Sequence, residues 1–80
     1  MHPEQIKQLI LAGMTCEHLA LYGDGQHFEA LVVSAEFAGE NRVQRQQRVY
    51  QTLKDKLATG ELHALSFKTL TPEEWSAQRG

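Results

Sequence analysis

The sequence predicts an α+β domain in which helices cover one face of a three-stranded mixed sheet. Three observations lead to this fold class. Two runs of β-forming residues flank a glycine-rich turn at residues 23–26, a long stretch with helical spacing begins near residue 42, and a third β-forming run precedes a helix-start signature at Thr71. The predicted order is helix, strand, strand, helix, strand and short helix, with one face of the sheet covered.

The first helix is predicted to begin at Pro3, because the fixed φ of proline suits the first helical turn. Apolar residues then recur at helical spacing, namely Ile6, Leu9 and Ile10, with Leu11 as a further candidate. Gly13 ends the pattern. Residues 19–22 and 28–33 are rich in β-formers on either side of the turn, which predicts a hairpin of two antiparallel strands.

The second predicted helix is long, with Asn41 as its N-terminal cap and Gly60 at its end. The apolar positions assigned to its buried side are Val43, Tyr50, Leu53 and Leu57. Basic residues fall on the other side, namely Arg45, Arg48 and Lys56. We therefore expect the basic side of this helix to face solvent.

A third strand is predicted at residues 62–67, followed by a short C-terminal helix. Thr71 is its predicted cap, Pro72 its first residue, and Glu74 completes a capping box. The chain has no repeat, low-complexity tract or linker, and its 80 residues suit a single domain, residues 1–80.

The composition indicates a globular protein of a reducing compartment. Hydrophobic residues make up 41% and charged residues 22%, which is too apolar for a disordered chain. Cys16 is the only cysteine, so no intrachain disulfide forms, whereas a secreted domain of this size usually needs several. No signal peptide or membrane-spanning run is present. We expect a cytoplasmic protein with no membrane partner.

The formal charge of −2 is distributed unevenly. Residues 1–41 hold one lysine against six acids, whereas the segment 42–56 holds five basic residues against Asp55 alone. This basic segment suggests a polyanion partner, although a charged outer face is also what any surface helix needs.

Enzyme motifs are absent from the sequence. The turn at residues 23–26 lacks the lysine and spacing of a phosphate-binding loop, and the chain has no nucleophile elbow or paired metal-binding motif. No nucleophile–base or carboxylate pair stands out. We expect a protein without catalytic activity.

Two of the four histidines, His27 and His63, stand where strands begin. Imidazole is a common metal ligand, and two histidines from separate strands would fill half of a coordination sphere. Each, taken alone, is more often a turn or surface histidine than a ligand. Cys16 and His18 lie near the first strand, but a lone cysteine is more often a small buried hydrophobe than a ligand.

The chain resembles the BolA family, and within it the IbaG-like (YrbA-like) bacterial branch, over nearly its whole length. The resemblance rests on four segments: Gly-Asp-Gly-Gln-His-Phe at 23–28, Phe-Ala-Gly-Glu-Asn-Arg-Val at 37–43, Gln-Gln-Arg-Val-Tyr at 46–50, and Leu-His-Ala-Leu-Ser at 62–66 followed by Thr-Pro-Glu-Glu-Trp at 71–75. It implies a fold similar to the class II KH domain, in agreement with the element order.

The resemblance also implies a partner and a cofactor. BolA-like proteins pair with monothiol glutaredoxins, and the heterodimer holds a [2Fe-2S] cluster between a glutaredoxin cysteine, the cysteine of glutathione and two ligands of the BolA-like chain. The matching ligands here are His27 and His63. The resemblance thus implies a role in iron–sulfur trafficking or in iron and stress regulation. The isolated protein is expected to hold no cofactor and to be a monomer or weak homodimer.

A second hypothesis is a KH-like module that binds nucleic acid, as a transcriptional regulator, through Arg42, Arg45 and Arg48. The long helix carries Arg45-Gln46-Gln47 where the BolA branch proper often has Arg-His-Arg. The Gly-x-x-Gly loop with which KH domains clamp a nucleic-acid backbone is also absent, since Gly39 stands alone in that stretch. These departures weaken the case for a transcription factor, and the acidic remainder of the chain places nucleic-acid binding second to cluster binding.

Overall fold

The computed structural model describes residues 2–23, 27–60 and 64–79. Within these residues the elements are α1 (Pro3–Gly13), β1 (His18–Gly23), β2 (His27–Val33), a short 3-10 turn (Ala35–Phe37), α2 (Arg42–Ala58), β3 (Ala64–Leu70) and α3 (Pro72–Arg79). The predicted α+β class and element order are confirmed.

The sheet is mixed, with β2 at its centre. β1 pairs antiparallel with β2, and β3 pairs parallel with β2 on the other side. Parallel pairing requires a crossover connection, and α2 supplies it between β2 and β3. The predicted third strand, 62–67, overlaps β3 only in part. Its first two residues lie outside the described residues, and pairing with β2 carries the strand on to Leu70.

The main core lies between the sheet and the first two helices. Its largest fully buried side chain is Phe37, from the 3-10 turn. The helices and the central strand contribute other fully buried large residues to this core, namely Ile6, Ile10, Val49, Leu53 and Val32. The helix starts follow local capping: His2 caps α1 through its imidazole and Asn41 caps α2, each within a reciprocal capping box.

The predicted buried side of α2 is wrong in part. Leu53 is buried as predicted, but Val43 is 63% exposed and Tyr50 37% exposed, whereas Val49 is fully buried. Consecutive helical residues point about 100° apart, so the line through Val43 and Tyr50 is turned well away from Val49. Packing against α1 and β2 selects the Val49 side, which spacing along an isolated helix does not reveal.

The predicted solvent position of Arg45 is also wrong. Its side chain is only 14% exposed, whereas that of Arg48 is 38% exposed. The first turns of α2 lie against the C-terminal end of β3, where the guanidinium of Arg45 meets a backbone carbonyl and a carboxylate. A buried guanidinium with such partners is satisfied without water.

The third helix lies on the sheet face opposite to α1 and α2, so the expectation that helices cover one face holds for the first two helices only. The predicted capping box is confirmed: the Thr71 N–H donates to Glu74 Oε1, and the Glu74 N–H donates to Thr71 Oγ1. Trp75 stacks on His18, with ring centroids 4.5 Å apart. Because neighbouring strand residues point to opposite faces and Leu19 belongs to the main core, His18 lies on the other face. Among the described residues, no helix is long and apolar enough to cross a membrane.

Candidate functional site

The first candidate ligand, His27, begins the central strand and is exposed. Its register partner is Ala64, the first residue of β3. Because parallel strands run in the same direction, the first residues of β2 and β3 lie side by side at the same end of the sheet, about 4.8 Å apart. His27 therefore stands beside the point where the chain enters β3.

The second candidate ligand, His63, lies outside the described residues. It is the sequence neighbour of Ala64, and its role as a ligand stays a prediction. Within the described ranges, no group of three or more His, Cys, Asp or Glu side chains is placed to hold a metal ion. The prediction requires two imidazole ligands from this chain. An exposed histidine at the end of the central strand suits a site whose other ligands come from another molecule.

Cys16 is half-buried and packs against the core. Burial, and to a smaller extent the nearby carboxylates of Glu17 and Glu36, which disfavour a thiolate beside them, raise the pKa of the Cys16 thiol to about 11. Because thiolates rather than thiols bind metals and attack electrophiles, the raised pKa disfavours the reactive form of Cys16 at neutral pH. Both carboxylates accept hydrogen bonds from the backbone: Glu36 accepts from the Thr15 N–H, and Glu17 accepts from the Ala35 N–H.

His18 is a packing residue in this structure. Its ring lies nearly parallel to that of Trp75, at an interplanar angle of 18°, and the guanidinium of Arg79 lies 4.5 Å from the same indole ring. Trp75 thus joins α3 to β1. The sequence reasoning missed this contact, because it depends on the face to which α3 returns.

Three arginines are proposed to bind nucleic acid, and two of them, Arg45 and Arg48, already make hydrogen bonds with other residues of this chain. Arg45 donates through Nε to the Glu40 carbonyl, and through Nη1 to the Thr69 carbonyl and to Glu74 Oε1 at 2.7 Å. Its guanidinium also lies 5.9 Å from the centre of the Phe37 ring. These contacts make Arg45 a link between α2, β3 and α3.

Arg48 pairs with two carboxylates, at 2.6 Å to Glu40 and 3.5 Å to Glu36. The hydrogen bond and the charge of Arg48 lower the pKa of Glu40, and the same contact raises the pKa of Arg48. Arg42 is exposed and makes no ion pair within the described part of the chain. Binding of nucleic acid by these three residues stays a prediction.

The sheet face opposite the main core carries a shallow groove that sequence reasoning did not find. Its volume is about 500 Å³, and Trp75 and Arg79 of α3 form one wall. Strand residues of alternating positions form the floor and the far wall, namely Tyr22, Glu29, Leu31, Ser66 and Lys68. Because side chains alternate between the two faces along each strand, the sequence could have placed these residues on one face of the sheet. The groove itself exists because α3 lies over that face.

Comparison with known proteins identifies relatives along the whole chain. The family model described as BolA-like protein matches residues 9–74. The acid stress protein IbaG of Escherichia coli K12 is 34% identical over 79 residues, which cover 99% of this chain and 94% of IbaG. The DNA-binding transcriptional regulator BolA of Haemophilus influenzae is 44% identical over 61 residues, covering 76% of this chain and 58% of that protein.

Solved structures agree with the sequence comparison. A BolA protein homologue from Coxiella burnetii has a TM-score of 0.84 and 36% identity, with 95% of this chain and 97% of that chain covered. The predicted family and its IbaG-like branch are therefore confirmed.

Proposed function

The chain belongs to the BolA family, and we propose that it is a non-catalytic cytoplasmic partner of a monothiol glutaredoxin, with which it binds a shared [2Fe-2S] cluster. The role would be iron–sulfur trafficking or iron and stress regulation. The name of its relative IbaG, an acid stress protein, accords with a stress-related role.

One observation carries this proposal: His27 is exposed at the start of β2, directly beside the first residue of β3. His63 immediately precedes that residue in the sequence. Both imidazoles would thus come from the beginnings of two adjacent parallel strands. They would lie at one end of the sheet, where a second protein would contact them. Cys16, with its raised pKa and partial burial, is a weaker candidate ligand than the exposed His27.

The chemistry of imidazole gives this site its character. Two imidazoles in place of two thiolates on one iron make the cluster less negative and raise its reduction potential, as in Rieske-type centres. Each histidine must present a deprotonated ring nitrogen in order to bind, so acid weakens the site. The two thiolate ligands would come from the glutaredoxin and from glutathione.

The test is anaerobic cluster reconstitution of this protein with a monothiol glutaredoxin and glutathione, followed by visible absorption and circular dichroism. We expect a spectrum distinct from that of the glutaredoxin alone, and we expect it to be lost in His27→Ala and in His63→Ala. His2→Asn is the matched control, because asparagine keeps the capping role of His2 on α1. A mixture that shows only the glutaredoxin spectrum would refute the proposal.

Nucleic-acid binding remains the second candidate, favoured by the exposed Arg42 and by the regulator name of the Haemophilus influenzae relative. Phosphate contacts release counterions, so affinity should fall steeply as salt rises. Arg42→Ala should then lower the slope of log affinity against log salt by about 1, whereas Lys7→Ala on α1 should leave it unchanged. The absence of any retardation of DNA or RNA at low salt would eliminate this function.

A further inference from the structure

The outer side of β3 is a sheet edge that no described strand covers. Within residues 2–23, 27–60 and 64–79, β3 is the last strand of the sheet and pairs with β2 alone. The Leu70 carbonyl accepts from the Ser34 N–H on the β2 side, at 3.0 Å. Since backbone groups alternate along a strand, those of Leu65, Phe67 and Thr69 point outward. Arg45 binds the Thr69 carbonyl from outside the sheet, as this alternation requires.

Beside this edge, α2 presents an apolar flank. Val43 and Tyr50 are among the exposed large hydrophobic residues, and their spacing of seven places them on one side of the helix, about 10 Å apart. The Tyr50 ring meets the Phe67 ring edge-on, with centroids 4.8 Å apart. We call these two helix residues, together with Leu65 and Phe67, the edge strip. An adjoining groove of about 710 Å³ follows β3 past Phe67 to Leu70 and α2 at Arg42.

Among the residues that the structure describes, the unpaired charges beside the edge strip are positive. Arg42 and Lys54 are exposed and make no ion pair within the described ranges. The carboxylates of Glu40 and Glu74, which line the groove, are already bound to Arg48 and Arg45. Asp55 is five residues from Tyr50 and so points about 140° away from it around the helix.

We propose that the edge strip binds an extended acidic segment of a partner protein, which adds to β3 as a fourth strand. Its backbone would pair with the outward groups of Leu65 and Phe67, its apolar side chains would pack on Val43 and Tyr50, and its acids would meet Arg42 and Lys54. Strand addition to an exposed edge is a general mode of peptide recognition. A second copy of this chain fits less well, because it would bring another Arg42 and Lys54 to the same surface.

The proposed contact uses Leu65, Phe67 and α2 and needs no metal, so it can be tested without a cluster. The probes are three: a capped peptide that alternates valine with glutamate, the same peptide with lysine in place of glutamate, and a single-stranded RNA oligonucleotide. Each is titrated to millimolar concentration into the isotope-labelled full chain and followed by NMR. We expect the acidic peptide alone to shift the amides of residues 65–69, to give cross-strand contacts with Phe67, and to bind more weakly as salt rises.

Variants identify the surface. Val43→Asp should weaken the acidic peptide about fivefold or more, whereas Leu11→Asp, at a residue 48% exposed on α1, should leave its Kd unchanged. The proposal is overturned if the acidic peptide leaves β3 unperturbed, if the lysine peptide binds equally well, if RNA alone perturbs the edge strip, or if Leu11→Asp weakens binding as much as Val43→Asp. Self-association that Val43→Asp abolishes in the absence of peptide would assign the surface to a second copy and would also overturn it.

Discussion

Arg45 of α2 and Glu74 of α3 form a two-point ion pair, with Nη1 2.7 Å from Oε1 and Nη2 3.5 Å from Oε2. The same Glu74 carboxylate accepts the Thr71 N–H and so closes the capping box of α3. One side chain thus starts the last helix and ties it to α2. Because Arg45 also holds the Thr69 carbonyl, the pair joins three elements at one corner of the fold.

Acid should weaken this link. Arg45 and the Thr71 N–H together lower the pKa of Glu74 below its usual range. A carboxyl whose pKa is lowered by folding contributes stability that is present above its unfolded pKa and is lost as the pH falls through its folded pKa. We expect Glu74→Gln to lower the melting temperature at neutral pH and to have a diminishing effect as the pH falls below 4.5, the ordinary value for Glu. Glu73→Gln, one residue away, is the control. A Glu74→Gln effect that persists unchanged in acid would contradict this account.

The buried side of α2 can be mapped by truncation. Leu53 is 1% exposed, so Leu53→Ala should leave a cavity and lower the free energy of unfolding by about 3 kcal/mol. Val43 is 63% exposed, so Val43→Ala should change it by less than about 0.5 kcal/mol. Urea unfolding measures both values. Equal losses in the two variants would mean that α2 is rotated from the orientation described.

The contact between His18 and Trp75 has a direct optical readout, because Trp75 is the only tryptophan. His18→Ala should remove a stacked ring, shift the fluorescence maximum to longer wavelength, and lower the free energy of unfolding by about 1 kcal/mol. His2→Asn should leave the spectrum unchanged. A spectrum unaffected by His18→Ala would show that α3 does not rest on β1.

Gly13 permits the close approach of α1 to α2. A Cβ atom added there would lie 2.6 Å from Thr52 Cγ2, which is too short for a van der Waals contact. We expect Gly13→Ala to destabilise the protein by about 1 to 3 kcal/mol. Thr52→Ser removes that methyl group but keeps the hydroxyl that donates to the Val49 carbonyl. The double variant should therefore recover much of the loss, and additive losses in the cycle would argue against the clash.

The sequence by itself determined the elements that depend on neighbouring residues. Asn41 and Thr71 start helices through hydrogen bonds spanning three residues, and glycine-rich sequence precedes the strand that begins at His27, so local pattern was sufficient for the α+β class. The strand-start position of His27 was predictable for the same reason, as was the family, which short motifs along the chain identified.

Only the tertiary structure decided which sides of these elements meet. Val49 rather than Val43 faces the core, Arg45 is enclosed by β3 and α3, and α3 returns to place Trp75 on His18. Each outcome depends on residues distant in sequence: the free energy of burying one side of a helix is set by the surface it packs against. The unpaired edge of β3 has the same origin, because strand order is a property of the assembled sheet.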